Sequence, residues 1–235
     1  MNEWNRIWAK RSSEIAVSDD IFDMFCKLKK ADGFDTQNVE GYYESFFEEW
    51  NQMADTIAKE VGKIQSVYEV GCGSGVNLYL FEKLKNIKCI GGCDYSEPLI
   101  KIAKKVLDTE DLMCKEADKI STEPIYDVVI ADSVFQYFQS PEYGMDVLKK
   151  MWNKAEKMIA ITELHDESMK EEHLNYRRQC VANYDEKYKG LDKTFYTKEM
   201  FEEFAKSVGA TCKIVKPGNE LYWNNKYVFD CYLIK

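Results

Sequence analysis

From Ser66 onward, short apolar runs alternate with stretches of helical period, and this alternation restricts the chain to few folds. Ser66 to Val70, Lys88 to Cys93, Leu112 to Lys115, Tyr126 to Ala131 and Lys157 to Leu164 each read as a strand. Between them, Asn77 to Leu84, Ser96 to about Leu107 and Ser140 to about Trp152 read as helices; Ser96 and Ser140 are the caps, and Pro98 and Pro141 sit in the first turns. Thr197 caps a later helix ended by Gly209, and Ala210 to Val215 and Tyr227 to Ile234 close the chain as a strand hairpin. The expected class is α/β: a doubly wound, mostly parallel seven-stranded sheet with helices on both faces.

The flanks break the rhythm. In residues 1–65, Ser18 is expected to cap a helix carrying Ile21, Phe22, Phe25 and Leu28 on one face. A second helix starts at about Tyr42, with Tyr43, Phe46, Phe47, Trp50, Met53, Ile57 and Val61 in its seam and Gly62 at its end. Residues 165–195 are polar and helix-prone and are expected to lie over the sheet's edge. The chain of 235 residues is thus expected to be one domain: a helical cap (1–65), a ligand-binding core (66–164), a helical insertion (165–195) and a closing helix and hairpin (196–235).

The first strand runs into Glu69-Val70-Gly71-Cys72-Gly73-Ser74-Gly75. Alternate glycines let the backbone turn sharply and approach a ligand without Cβ atoms in the way, and the next helix begins there with free N–H groups. The turn falls at the carboxyl end of a central strand, where open α/β sheets bind ligands. Asp94 ends the second strand, Ala117-Asp118 follows the third, and Asp132-Ser133 ends the fourth, all on the same rim.

Glu69 to Gly75 resembles the first motif of class I S-adenosylmethionine-dependent methyltransferases, with its E/D-x-G-x-G-x-G form. Asp94 matches the acidic residue of the second motif, Asp118 the adenine-side residue, and Ala131 to Tyr137 the fourth-strand motif. The resemblance covers about residues 60–165 and the closing hairpin, and implies that the last strand inserts antiparallel. It implies S-adenosyl-L-methionine as cofactor and S-adenosyl-L-homocysteine as product. Gly71, Gly73 and Gly75 would pack against the methionine and ribose, Glu69 would hold the ammonium, and Asp94 with Tyr95 would bind the ribose. Ala117 and Asp118 would take the adenine, and the fourth-strand residues Asp132 to Gln136, Ser133 among them, would border the sulfonium. Val76 stands where the dinucleotide pattern G-x-G-x-x-G wants its last glycine, which weakens a nicotinamide reading.

The net charge of -9, from 41 acidic and 32 basic side chains, argues against DNA or bulk RNA as acceptor. No N-P-P-Y or D-P-P-Y follows the fourth strand, which disfavours amino-methylation of DNA bases. The eight cysteines form no C-x-x-C pair; Cys72, Cys89, Cys93, Cys114, Cys212 and Cys231 read as reduced core thiols, pointing to the cytoplasm. No signal peptide and no membrane span are expected, no spacing compels a metal site, and the oligomeric state is left open.

The expected acceptor is a small molecule, methylated most readily on oxygen. A protein or RNA acceptor, or a binding module without turnover, stays open. Only His165 and His173 are available as imidazoles. His165 lies just past the fifth strand and is the candidate general base, with Asp166 as partner or alternative; an ordinary loop histidine is the competing reading. His173, among charges on a helix, reads as solvated. Tyr176, Arg177 and Arg178 could face an anionic acceptor or simply form a surface helix face. Lys189-Gly190-Leu191 through Phe195-Tyr196 and the ending Asn225-Lys226-Tyr227-Val228-Phe229 are similar to methyltransferases of bacterial surface-polysaccharide biosynthesis, which implies a sugar or phosphorylated sugar-linked acceptor.

Overall fold

The computed structural model describes residues 3–34 and 40–235; Met1 and Asn2 of the opening segment, and residues 35–39 of the cap, lie outside the described residues. The cap holds α1 (Glu3–Trp8), α2 (Ile21–Ala31) and α3 (Tyr42–Val61). The core follows as β1 (Ser66–Val70), α4 (Val76–Leu84), β2 (Cys89–Asp94), α5 (Glu97–Val106), β3 (Leu112–Cys114), β4 (Tyr126–Asp132), α6 (Pro141–Lys154) and β5 (Ala155–His165). Then come α7 (Lys170–Cys180), α8 (Tyr184–Lys187), α9 (Lys198–Val208), β6 (Thr211–Val215) and β7 (Val228–Ile234).

Among the described residues the strands form one seven-stranded sheet in the order β3-β2-β1-β4-β5-β7-β6. The first five strands are parallel, and β7 enters antiparallel between β5 and β6, as the family resemblance implies. Side chains alternate across the sheet with the period of two that strands impose. Val67, Val128, Ile130, Met158 and Ala160 join one core beneath α2 to α5. Their neighbours Tyr68, Val129, Ala131, Ile159 and Ile161 join the other, beneath α6 and α9. Each fully buried aliphatic side chain contributes about 1.5–3 kcal/mol, so both faces are needed to hold the strand ends in register.

Three local expectations need correction. Asp20, not Ser18, caps α2: its carboxylate accepts the Asp23 N–H at 2.7 Å. Cys89 and Cys114 are exposed rather than in the core, because Cys89 is the first residue of β2 and Cys114 the last of the short edge strand β3. The insertion does not lie over an edge of the sheet. It covers the carboxyl end of β5, an interior strand, and packs on the turn Trp223–Tyr227 that leads into β7. Among the described residues no helix is long and apolar enough to cross a membrane.

Candidate functional site

The β1–α4 turn is shaped by backbone conformations that side chains resist. Gly71, Gly73 and Gly75 have φ of 74°, 52° and 86°. A Cβ on Gly71 would lie 2.4 Å from Val134, and one on Gly73 would lie 2.6 Å from Asp32. The turn's amides are spoken for. Gly71 and Cys72 donate to the Cys93 carbonyl at 2.7 and 2.9 Å, and Gly75 donates to the Cys72 carbonyl at 2.7 Å. Gly73 donates to Asp94 Oδ2 at 3.1 Å and Ser74 to Asp32 Oδ1 at 2.7 Å. The amides of the turn itself are therefore engaged, and no side chain caps the first turn of α4, where the sequence places free N–H groups. An anion would find these donors engaged and carboxylates beside them.

Above the turn lies a cavity of about 790 Å³, within the range of small-molecule sites. It runs over the carboxyl ends of β1, β2, β4 and β5 to the cap helix α3 and the loop after β6. Among its described lining residues are nine carboxylates and four lysines, so the space favours a cation. Glu69, Gly71, Gly73, Asp94, Tyr95, Ala117, Asp118, Asp132 and Ser133 all line it. Gly75 does not; it packs below against Ala103 and Leu107.

Glu69 is 1% exposed, and burial holds its carboxyl well above the usual range. Its Oε1 accepts from Asn77 at 2.7 Å, while Oε2 is buried with no partner. Asn77 also donates to Asp132 Oδ2 at 3.1 Å, tying the ends of β1 and β4 together. Burial pushes Asp132 up, but the charge of Lys29, 3.7 Å away, and hydrogen bonds from Thr162 and Asn77 outweigh it, leaving the group below the carboxylate norm. Asp94 accepts from the Ser96 N–H at 2.7 Å and from Gly73, and burial raises it to about 6 against those bonds. Asp118 accepts from the Tyr143 hydroxyl at 3.0 Å and pairs with Lys119 at 2.6 Å.

At the far end of the cavity, β5 departs from regular pairing. Its register with β7 shifts between Ile161 and Leu164, and Glu163 there has φ of 59°. Such a bulge re-aims a side chain, and positive φ in a non-glycine residue marks a strained, over-determined position. Asp230 holds it by accepting the Glu163 N–H at 3.0 Å. The carboxylate of Glu163 accepts from Tyr222 at 3.0 Å and Asn224 at 2.6 Å. Burial raises Glu163, with the Ser133 hydroxyl opposing, and raises Glu49 to about 7, with Asn225 opposing.

The structure does not bring the two proposed bases into this cavity. His165 lines a smaller one of about 120 Å³ behind Glu163, and burial with nearby positive charge keeps its imidazole neutral, well below its ordinary value. Asp166 lines neither cavity. It accepts from Ser168 and pairs with Lys198 at 2.7 Å, because it caps the turn after β5. His173 is not solvated: it is 2% exposed and stacks on Trp223 at 5.7 Å.

Sequence reasoning missed Lys29, Asp32, Asn77 and Asp230 and undervalued Glu163. Asn77 and Asp230 carried a signal, each a lone polar residue inside an apolar run. Lys29 and Asp32 carried none, since their place depends on how α2 packs against α4.

A family model described as Methyltransferase domain matches residues 68–161. This span is similar to methyltransferase domains. Malonyl-(acyl-carrier protein) O-methyltransferase of Priestia megaterium is 32% identical over 100 residues, covering 41% of this chain and 36% of that protein. The protein of the same name from Bacillus anthracis is 22% identical over 161 residues, 63% of this chain and 58% of its own length. The chain thus spans less than two thirds of these relatives. Among solved structures, the plantazolicin methyltransferase BpumL in complex with SAH superposes with a TM-score of 0.62 at 19% identity, over 99% of this chain and 95% of that one. Magnesium protoporphyrin IX methyltransferase from Synechocystis PCC 6803 with bound SAH superposes with a TM-score of 0.59 at 13% identity, over 84% and 89%. The methyltransferase fold therefore extends beyond the matched span to nearly the whole chain.

Proposed function

We propose that this chain is an S-adenosylmethionine-dependent methyltransferase acting on a small-molecule acceptor. The observation that carries this reading is the buried, unpartnered Glu69 Oε2 at the foot of an acid-lined cavity whose glycine turn offers no free amide. These groups suit an ammonium and a sulfonium and repel a pyrophosphate, which separates the reading from nicotinamide binding.

When bound, the cofactor supplies a methyl group already activated on sulfur. Glu69 receives the ammonium, and Asp94 keeps lone pairs for ribose hydroxyls while its bonds to Ser96 and Gly73 fix it. Ala117 leaves room for the adenine beside Asp118, and Asp132 and Ser133 border the reacting centre. Glu163, rather than His165 or Asp166, faces the cavity and is the candidate proton acceptor for an oxygen or nitrogen nucleophile. The surface-polysaccharide reading rests on the resemblance of residues 189–196 and 225–229.

The division of labour we propose follows the four segments: 1–65 closes the cavity, 66–164 holds the cofactor, and 165–195 with 196–235 shape the acceptor end. Reduced thiols fit a cytoplasmic setting. Thermal denaturation tests the reading: S-adenosylmethionine and S-adenosylhomocysteine should each raise the melting temperature. Stabilisation by NAD with none from either sulfur ligand would reject it.

A further inference from the structure

The smaller cavity has a chemistry opposite to that of the larger one. Among its described lining residues, Arg177 and Lys193 bring positive charge and Glu163 is the sole carboxylate. Glu163, Tyr137 and Tyr222 line both spaces, so the two meet at a common wall. The carboxylate of Glu163 is already engaged by Tyr222 and Asn224.

Several polar atoms around this space are buried with no hydrogen-bond partner: His165 Nδ1, His173 Nδ1, Asn224 Oδ1 and Arg177 Nε. His165, His173 and Asn224 are 2%, 2% and 3% exposed. Buried polar groups are almost always satisfied, so such a cluster marks a place where something polar binds. Aromatic faces hold the charges in place. The Arg177 guanidinium lies 5.0 Å from the Tyr188 ring centre and 5.4 Å from that of Trp223, and Lys193 Nζ lies 3.4 Å from that of Tyr137.

We propose that this cavity is a subsite for a carboxylate carried by the methyl acceptor, an inference that rests on the methyltransferase reading above. A volume of about 120 Å³ admits a carboxylate and little more, so the body of the acceptor remains in the larger cavity. Arg177 presents a fork that matches two carboxylate oxygens, and Lys193, an amine that burial lowers to about 7, gains charge when a carboxylate binds beside it. The imidazole N–H groups complete the donor set, and the reacting oxygen or nitrogen is left beside Glu163. On this view His165 binds the acceptor instead of taking its proton.

The chain has only two histidines, so their imidazole NMR signals report the subsite directly. The full-length protein, alone and saturated with S-adenosylhomocysteine, is titrated with acetate, and in parallel with acetamide, at constant chloride. Acetate should shift both imidazoles saturably and acetamide neither. Arg177→Gln should weaken the acetate response at least tenfold without changing S-adenosylhomocysteine affinity, and Arg177→Lys should retain part of it. Equal responses to acetate and acetamide, no response to acetate, or an unchanged midpoint in a folded Arg177→Gln protein would each overturn the proposal. Failure of the methyltransferase reading appears separately, as wild-type protein that does not bind S-adenosylhomocysteine.

Discussion

Asp32 grips Ser74 at both of its donors, accepting the backbone N–H at 2.7 Å and the hydroxyl at 2.8 Å. A residue at the end of a cap helix thereby fixes the glycine turn at the centre of the sheet. Asp32→Ala should weaken S-adenosylhomocysteine binding about tenfold, the scale of one charge-assisted hydrogen bond, by loosening the turn. Calorimetry on a variant with wild-type circular dichroism checks this.

Burial raises Asp32 to about 7 from 3.8, against the bonds from Ser74. The stability supplied by its protonated form is fully present below about pH 4 and is lost as pH rises through about 7. Burial lowers His173 to about 4 from 6.5, which acts in the opposite sense as pH falls between those values. Asp32→Asn isolates the first effect. Relative to wild type, the cofactor-free variant should gain melting temperature at pH 7.5 compared with pH 4.5, and equal shifts at both values would contradict the assignment.

Glu69→Gln keeps the shape of the side chain and its bond from Asn77 but removes the charge. S-adenosylmethionine affinity should fall about 10- to 100-fold, corresponding to ~1.5–3 kcal/mol for a bond to a charged group. Titration calorimetry reads the change, and an unaltered affinity would remove Glu69 from the ammonium site.

Gly71→Ala should destabilise the fold and abolish cofactor binding. The added Cβ meets Val134 at 2.4 Å, and φ of 74° costs a non-glycine residue about 1–3 kcal/mol. Urea denaturation gives the loss directly; a wild-type midpoint would mean that the turn can relax.

Glu163→Gln should reduce turnover by roughly 10²-fold or more while leaving S-adenosylhomocysteine affinity unchanged. His165→Gln should chiefly raise the acceptor's KM. Radiolabelled methyl transfer to an identified acceptor separates the two, and the reverse pattern would restore His165 as the base.

The glycine-turn half of the cavity was legible because its residues stand at or just after the ends of strands that the sequence announces. Glu69, Asp94 and Asp132 needed only strand ends, and their common rim followed from parallel register. The opposite half was not. Glu163 depends on a bulge in β5 that no local pattern encodes, and His173 is buried because α7 folds back onto Trp223. Ser18 and Asp20 are both sound helix caps by residue type, and only the turn geometry chose between them. Lys29 reaches Asp132 through tertiary packing between elements more than a hundred residues apart.

The central claim is that an acid-lined cavity over the Gly71–Gly75 turn binds an adenosyl sulfonium cofactor. Titration calorimetry of the full chain with S-adenosylmethionine, S-adenosylhomocysteine and NAD tests it most directly. Saturable one-to-one binding of both sulfur ligands, lost in Asp94→Ala, with no heat from NAD, is the expected result. Saturable NAD binding with neither sulfur ligand bound would contradict it.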